Sequence, residues 1–228
     1  MSLRVFHDGA LVEGERITLA DAEHHYLARV RRAGVGDVVE LLDGRAHVAR
    51  ATVASLDARR AVLLVDALLV RPDPPPLELW LALCDVDACL DAITMACELG
   101  VTAIAWVRST HAQPRAPAAT RVERVVRAAM RQCGRPRPPE ISGPVALAEL
   151  LAHAEPAGGV IACQQLRTPQ SSAGPHVARL LVGPEGGFTD DEVERCLAHG
   201  MLARALGPWT LRAPTAVAAG LAWLHAHR

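Results

Sequence analysis

Residues 71–76 read Arg-Pro-Asp-Pro-Pro-Pro, and no other stretch limits the fold so strongly. Proline has no backbone donor and a fixed φ, so neither a helix nor a central strand continues through this segment. The expected organisation is two domains, residues 1–70 and 77–228, joined by a stiff linker over 71–76. On the N-terminal side short β-type runs recur with turn punctuation: Arg16 to Leu19, Asp37 to Leu42 ending at Asp43-Gly44, His47 to Leu56, and Ala61 to Val70. That pattern predicts a small β-barrel. Its one helical stretch, about Asp21 to Arg32, carries His24, His25, Arg29, Arg31 and Arg32 and stops near Gly34.

Past the linker, apolar runs alternate with longer helical segments, which is the pattern of βαβ units and a parallel sheet, an α/β domain. Leu77 to Cys84 reads as a buried strand, Asp85 to Leu99 as a helix stopped by Gly100, and Val101 to Val107 as the returning strand. A helix from about Ala118 to Cys133 follows, then a Pro-rich loop, then strands near Gly159 to Cys163 and Arg179 to Val182.

Composition removes several chemistries. Half of the 228 residues are hydrophobic, enough for a packed core. Aromatics are 3% and the net charge is −1, so a stacking platform for single strands is poorly supplied and RNA contact must lean on clustered arginine and shape. There is no lysine, which excludes a Schiff-base or Walker lysine. The six cysteines (Cys84, Cys89, Cys97, Cys133, Cys163 and Cys196) include no CxxC pair, and no secretory signal or membrane-length apolar run accompanies them. Reduced thiols, a cytoplasmic protein and no metal site are therefore expected.

Two segments carry the functional signal. Leu180 to Phe188, LLVGPEGGF, is a buried strand running into a three-glycine turn whose backbone a ligand can approach closely. It is neither GxGxxG nor a P-loop, and on residue chemistry alone it is first a tight turn. Thr189-Asp190-Asp191-Glu192 then forms a capping box opening a helix to His199, so these acids read as structural. Leu206 to Ala216, LGPWTLRAPTA, reads as a short strand, a Gly-Pro turn and Arg212 ahead of an Ala-rich helix with Pro214 at its first position.

This ordered pair, separated by one helix and closing the chain, resembles the SPOUT class of RNA methyltransferases, specifically the family that methylates uridine N3 of 16S ribosomal RNA. The likeness extends to Arg4-Val5-Phe6 and HHYLARVRRAGVGDVVELLDG, to ELGV at Glu98 to Val101, and to RQCGRPRPPEI at Arg131 to Ile141. It implies a C-terminal trefoil-knotted domain with a parallel sheet, an N-terminal PUA-like β-barrel that binds RNA, and a homodimer acting on ribosomal RNA or the small ribosomal subunit. It implies S-adenosylmethionine as cofactor, held by the backbone of Val182, Gly183, Pro184, Glu185, Gly186, Gly187, Leu206, Gly207, Thr210 and Leu211. The chain departs from the family at Pro214, where an acid is usual, near Cys84 and Met95, where lysines are usual, and at Arg131, where a glutamate is usual.

Methylating a weakly acidic nitrogen needs positioning together with a base or a cation. Arg212 is the expected cation, since a positive charge at a helix start opposes the helix dipole and needs another reason to be there. Glu185 is the expected base or cofactor contact, with a carboxylate bonding turn amides as the structural alternative. Arg121, Arg124, Arg127 and Arg131, at helical spacing and joined by Arg115, Arg135 and Arg137, form a basic stripe for phosphates or a solvated face. Arg29, Arg31 and Arg32 form a second basic patch. A knotted RNA-binding protein that holds S-adenosylmethionine without transfer is the rival reading, and an α/β enzyme for another nucleotide a more distant one.

Overall fold

The computed structural model describes residues 3–154, 159–162 and 179–227, so the expected strand end at Cys163 and the first two residues lie outside the described residues. The chain divides into two compact units, Met1–Asp73 with Arg127–Pro138, and Pro74–Val126 with Pro139–Arg228.

The first unit holds five strands, β1 (Leu3–Phe6), β2 (Arg16–Leu19), β3 (Val38–Leu42), β4 (Val48–Leu56) and β5 (Ala61–Leu69), in the sheet order β1-β3-β4-β5-β2. β1 runs parallel to β3 and the other pairs are antiparallel. Alternation selects the inner face: in β2, Arg16 and Thr18 are exposed while Ile17 and Leu19 are buried. Val5, Ile17, Leu19, Leu27, Leu41, Val53 and Leu63 share one core, each fully buried leucine contributing about 1.5–3 kcal/mol. The β3–β4 turn is organised by Asp43, whose Oδ1 accepts from the backbone N–H of Arg45, Ala46 and His47 at 2.7, 3.1 and 2.9 Å. Burial opposes this carboxylate, but those bonds and the His47 ring hold its pKa below the usual range.

The predicted helix over 21–32 is a single turn, α1 (Asp21–His25), followed by a wider π-type turn, Tyr26–Val30. Leu27 is buried in that turn while Arg29, Arg31 and Arg32 are exposed. His24 is buried and its ring bonds Asp57 O at 3.0 Å, a structural role.

The second unit is built on six strands in the order β11-β9-β10-β6-β7-β8, all parallel. They are β6 (Glu78–Ala82), β7 (Ala103–Arg108), β8 (Glu140–Ala146), β9 (Val160–Ala162), β10 (Arg179–Val182) and β11 (Leu202–Arg204). Every residue of β10 is buried, as in a parallel strand covered on both faces. Helix α2 (Val86–Glu98) links β6 to β7, capped by Asp85, whose side chain accepts from Asp87 N and Ala88 N, and ended by Gly100 at φ +78°. α3 (Ala119–Cys133), α4 (Leu147–His153), α5 (Asp190–Ala198) and α6 (Ala213–Ala226) complete it, with the second half of α3 belonging to the first unit. Gly220 lets α6 close on β10, since a Cβ there would stand 2.6 Å from Leu180 Cδ1.

Two expectations shift. The segment read as a loop after α3 contains β8 and α4; Ser142-Gly143-Pro144 looks like a turn, but among the described residues β8 pairs only with β7, and an edge strand tolerates a proline. The short strand expected at Leu206 lies earlier, at Leu202–Arg204, where β11 pairs with β9; from 205 to 212 the chain is loop.

Candidate functional site

A cleft of about 980 Å³ opens in the second unit where β10 ends. Three segments and Ala162 of β9 line it: Val182 to Phe188, Asp85 with the α2 residues Asp87, Ala88, Asp91 and Met95, and Arg204 with Leu206 and Thr210 to Ala216. The predicted cofactor residues Val182, Gly183, Pro184, Glu185, Gly186, Gly187, Leu206, Thr210 and Leu211 therefore line one cavity, although they come from two segments separated by a helix and a strand. Gly207 lies in the same loop without lining it.

The turn after β10 is held from several sides. Gly187 N donates to Pro184 O at 2.9 Å, and Gly187 sits at φ +69°, the left-handed region that glycine enters without strain. A Cβ on Gly183 would meet the Phe188 ring at 3.0 Å, and one on Gly186 would meet His111 Cβ at 2.8 Å. His111 Nδ1 faces the carbonyls of Gly186 and Gly187 at 3.1 and 3.2 Å, so it carries the proton and donates. Glu185 Oε1 accepts from Asp85 N at 2.8 Å, tying the turn to the cap of α2. Its carboxylate thus holds a helix start rather than the amides of its own turn, and it remains in the cleft wall.

The predicted capping box is present, with Glu192 N donating to Thr189 Oγ1 and Thr189 N to Glu192 Oε2. Glu192 does more than cap. Its Oε1 accepts from Thr110 N and Thr110 Oγ1 at 2.7 and 3.1 Å, and Gln113 N donates to Leu83 O at 2.7 Å, so the loop after β7 is fastened across the end of the sheet. Thr110 and His111 carry no sequence signal, because only the strand order brings the loop after β7 to the turn after β10.

Arg212 is the N-cap residue of α6, exposed, lining the cleft, and making no side-chain cap bond. No hydrogen bond or ion pair among the described residues engages its guanidinium. Of the carboxylates in the cleft, Asp85 caps α2, Asp87 pairs with Arg121 at 3.0 Å, and Glu185 accepts from Asp85 N, whereas Asp91 has no such partner among the described residues. Met95 and Pro214, at or beside which the chain departs from the family it resembles, both line this cleft.

Behind the cleft Cys84 and Cys89 are buried with sulfurs 3.3 Å apart. The hydrogen bond to Cys89, burial and the Glu185 carboxylate push the Cys84 thiol far above its usual value. Burial, with Glu192, pushes Cys196 up to about 12. Neither is a ready nucleophile at neutral pH. Among the described residues no group of three or more His, Cys, Asp or Glu is arranged to hold a metal ion, and no helix is long and apolar enough to cross a membrane.

The predicted RNA-contacting arginines fall into two sets. Arg29, Arg31, Arg32 and Arg124 are exposed and make no hydrogen bond or ion pair among the described residues. Arg121 pairs with Asp87 at 3.0 Å, and Arg135 donates to Arg137 O. Arg131 is bound to Glu23 and lies 4.1 Å over the Tyr26 ring, and Arg127 pairs with Asp8 at 3.2 Å and lies 4.2 Å over Phe6. These last two hold the first unit together, which is why residues 127–138 belong to it and why the helical stripe is not one continuous basic face.

The geometry has counterparts. Residues 71–225 match the family profile of an RNA methyltransferase domain, and residues 19–66 that of an RNA methyltransferase PUA domain. The chain is 32% identical over 220 residues to a ribosomal RNA small subunit methyltransferase E from Synechocystis, covering 92% of this chain and 73% of that one. It is 28% identical to the protein so named from Rickettsia conorii, covering 96% and 93%. The structure of a ribosomal RNA small subunit methyltransferase E from Neisseria gonorrhoeae bound to S-adenosyl methionine shares the fold, with a TM-score of 0.81, 24% identity, and 99% and 96% of the two chains covered. A probable rRNA-methyltransferase from Porphyromonas gingivalis gives a TM-score of 0.77 at 25% identity, with 92% of each chain covered.

Proposed function

Since this chain belongs to the RNA methyltransferase family that includes the ribosomal RNA small subunit methyltransferases E, we propose that it transfers the methyl group of S-adenosylmethionine to N3 of a uridine in 16S ribosomal RNA. The observation that carries this is the cleft joining the glycine turn at 182–188 to the loop and helix start at 206–216, with the Arg212 guanidinium in its wall, unpaired among the described residues.

The cleft fits the cofactor. Gly187 leaves its backbone open to a ligand while Gly183 and Gly186 let the turn close on Phe188 and His111, Leu206, Leu211 and Phe188 supply apolar wall for a purine ring, and Asp91 offers a carboxylate to a cation. When bound, S-adenosylmethionine supplies a methyl group on a sulfonium. Val182 to Gly187, Leu206, Thr210 and Leu211 hold and orient it, and the rigid turn fixes where the substrate nitrogen must arrive. Arg212 stabilises the negative charge that spreads onto the uracil oxygens as N3 gives up its proton to solvent water. Glu185 holds the start of α2 through Asp85 N and keeps the turn in register with the acidic wall.

In this reading residues 1–70 form the PUA-like RNA-binding domain, 71–76 the linker and 77–228 the catalytic domain. The C-terminal segment threads a loop as a trefoil knot, and the active form is a homodimer. Arg29, Arg31, Arg32, Arg121 and Arg124 grip phosphates of the ribosomal RNA or small ribosomal subunit in the cytoplasm. Titration with S-adenosylmethionine followed by methylation of small-subunit RNA, with the product nucleoside identified by mass spectrometry, tests the reading. Binding with methyl transfer to uridine N3 is expected, and Arg212→Ala should cut turnover by about 10²–10³-fold while leaving cofactor binding intact. Absence of binding to the unaltered protein would refute the assignment, and Arg212→Ala at full turnover would remove Arg212 from the mechanism.

A further inference from the structure

Four tryptophans occur in the chain, and the structure treats one differently. Trp80 and Trp106 are each 4% exposed, and Trp223 stacks on His227 at 4.2 Å with the Arg204 guanidinium 4.1 Å over its ring. Trp209 is 78% exposed and has no ring, hydrogen-bond or ion-pair partner among the described residues. It stands in the 205–212 loop between β11 and α6, flanked by Leu206, Thr210, Leu211 and Arg212, all of which line the cleft.

An uncovered indole at this place meets a specific need. A base whose ring nitrogen is to be methylated must leave its stack and enter the cleft, and an unstacked base gains most from another π face. Composition leaves the chain only 3% aromatic residues, and Trp209 stands beside the cleft that a base must enter to reach the proposed methyl donor. Three residues on, Arg212 supplies a guanidinium from the same loop, so a flat apolar face and a cation are presented together.

We propose that Trp209 stacks on a base of the substrate RNA at the mouth of the cleft, as a positioning residue for the nucleotide being methylated. The proposal rests on the methyl-transfer reading. Stacking recognises the face of a base and not its edge, so Trp209 contributes to RNA affinity and orientation while base identity is read inside the cleft.

The test is steady-state methylation of small-subunit RNA by the full chain and by Trp209→Ala and Trp209→Phe, with S-adenosylmethionine affinity and solution mass measured in parallel. Trp209→Ala should raise KM for RNA by roughly ten- to a hundredfold, with cofactor affinity and mass unchanged, and Trp209→Phe should recover most of the loss. An unchanged KM in Trp209→Ala, a loss that phenylalanine does not restore, or weakened cofactor binding overturns the proposal. A change in solution mass does so too, because the indole would then cover a second copy of the chain. If the unaltered protein transfers no methyl group, the methyl-transfer reading falls and this proposal with it; turnover that is indifferent to Trp209 removes this proposal alone.

Discussion

The two loops that build the cleft are made in opposite ways. The turn at 183–188 is gripped by its neighbours: His111 donates to two of its carbonyls, Glu185 ties it to α2, Phe188 folds back on Gly183, and Glu192 fastens the next residue to Thr110. The loop at 205–212 exposes Pro208, Trp209, Thr210 and Arg212, and two of its large side chains, Trp209 and Arg212, lack polar or ring partners among the described residues. A cofactor of constant shape favours a preformed wall, whereas a large polymer substrate favours groups left free for it. In the proposed reading the gripped turn serves the cofactor alone, whereas the open loop gives Leu206, Thr210 and Leu211 to the cofactor and leaves Trp209 and Arg212 for RNA.

The largest expected effect breaks the rigid loop. Gly186→Val adds a branched side chain whose Cβ would stand 2.8 Å from His111 Cβ, and S-adenosylmethionine affinity should fall about a hundredfold or more by calorimetry. Adding His111→Ala sharpens the assignment. If affinity returns, the turn was displaced by the histidine; if it stays low, the pocket itself needs the bare backbone.

A smaller effect is expected one residue group away. In Glu192→Gln one carboxylate oxygen becomes an amide that faces a backbone donor, Thr110 N or Thr189 N. Urea denaturation should show a loss of about 1–3 kcal/mol, with cofactor affinity reduced in step. The smallest effect belongs to the open loop. Thr210→Ala should leave stability in urea within about 0.5 kcal/mol of the parent, and a loss as large as that of Glu192→Gln would erase the distinction between the loops.

Much of this site is legible in the sequence because its signals are local. The capping box at Thr189 and Glu192, the helix stop at Gly100, and the glycine turn after an apolar strand depend on residues a few positions apart, and the structure has each of them. Strand β8 escapes a sequence reading for the same reason: Ser142-Gly143-Pro144 is locally a turn, and only its edge position beside β7 makes it a strand. Arg131 shows the limit for charge. Helical spacing places it with Arg124 on a basic stripe, yet Glu23, more than a hundred residues earlier, binds it.

What the sequence by itself determined is the α/β character past the Pro-rich linker, the strand-turn-helix around Gly183 to Gly187, and the family, because these rest on periodicity, capping and contiguous motifs. Tertiary structure decided which charges remain free. Arg127 and Arg131 are taken up by Asp8 and Glu23, while Arg212 and Asp91 line the cleft without an ion pair among the described residues. The physical reason is range: backbone conformation is set by neighbours in the chain, but an ion pair or a hydrogen bond such as His111 to Gly186 forms only between groups that the strand order brings together.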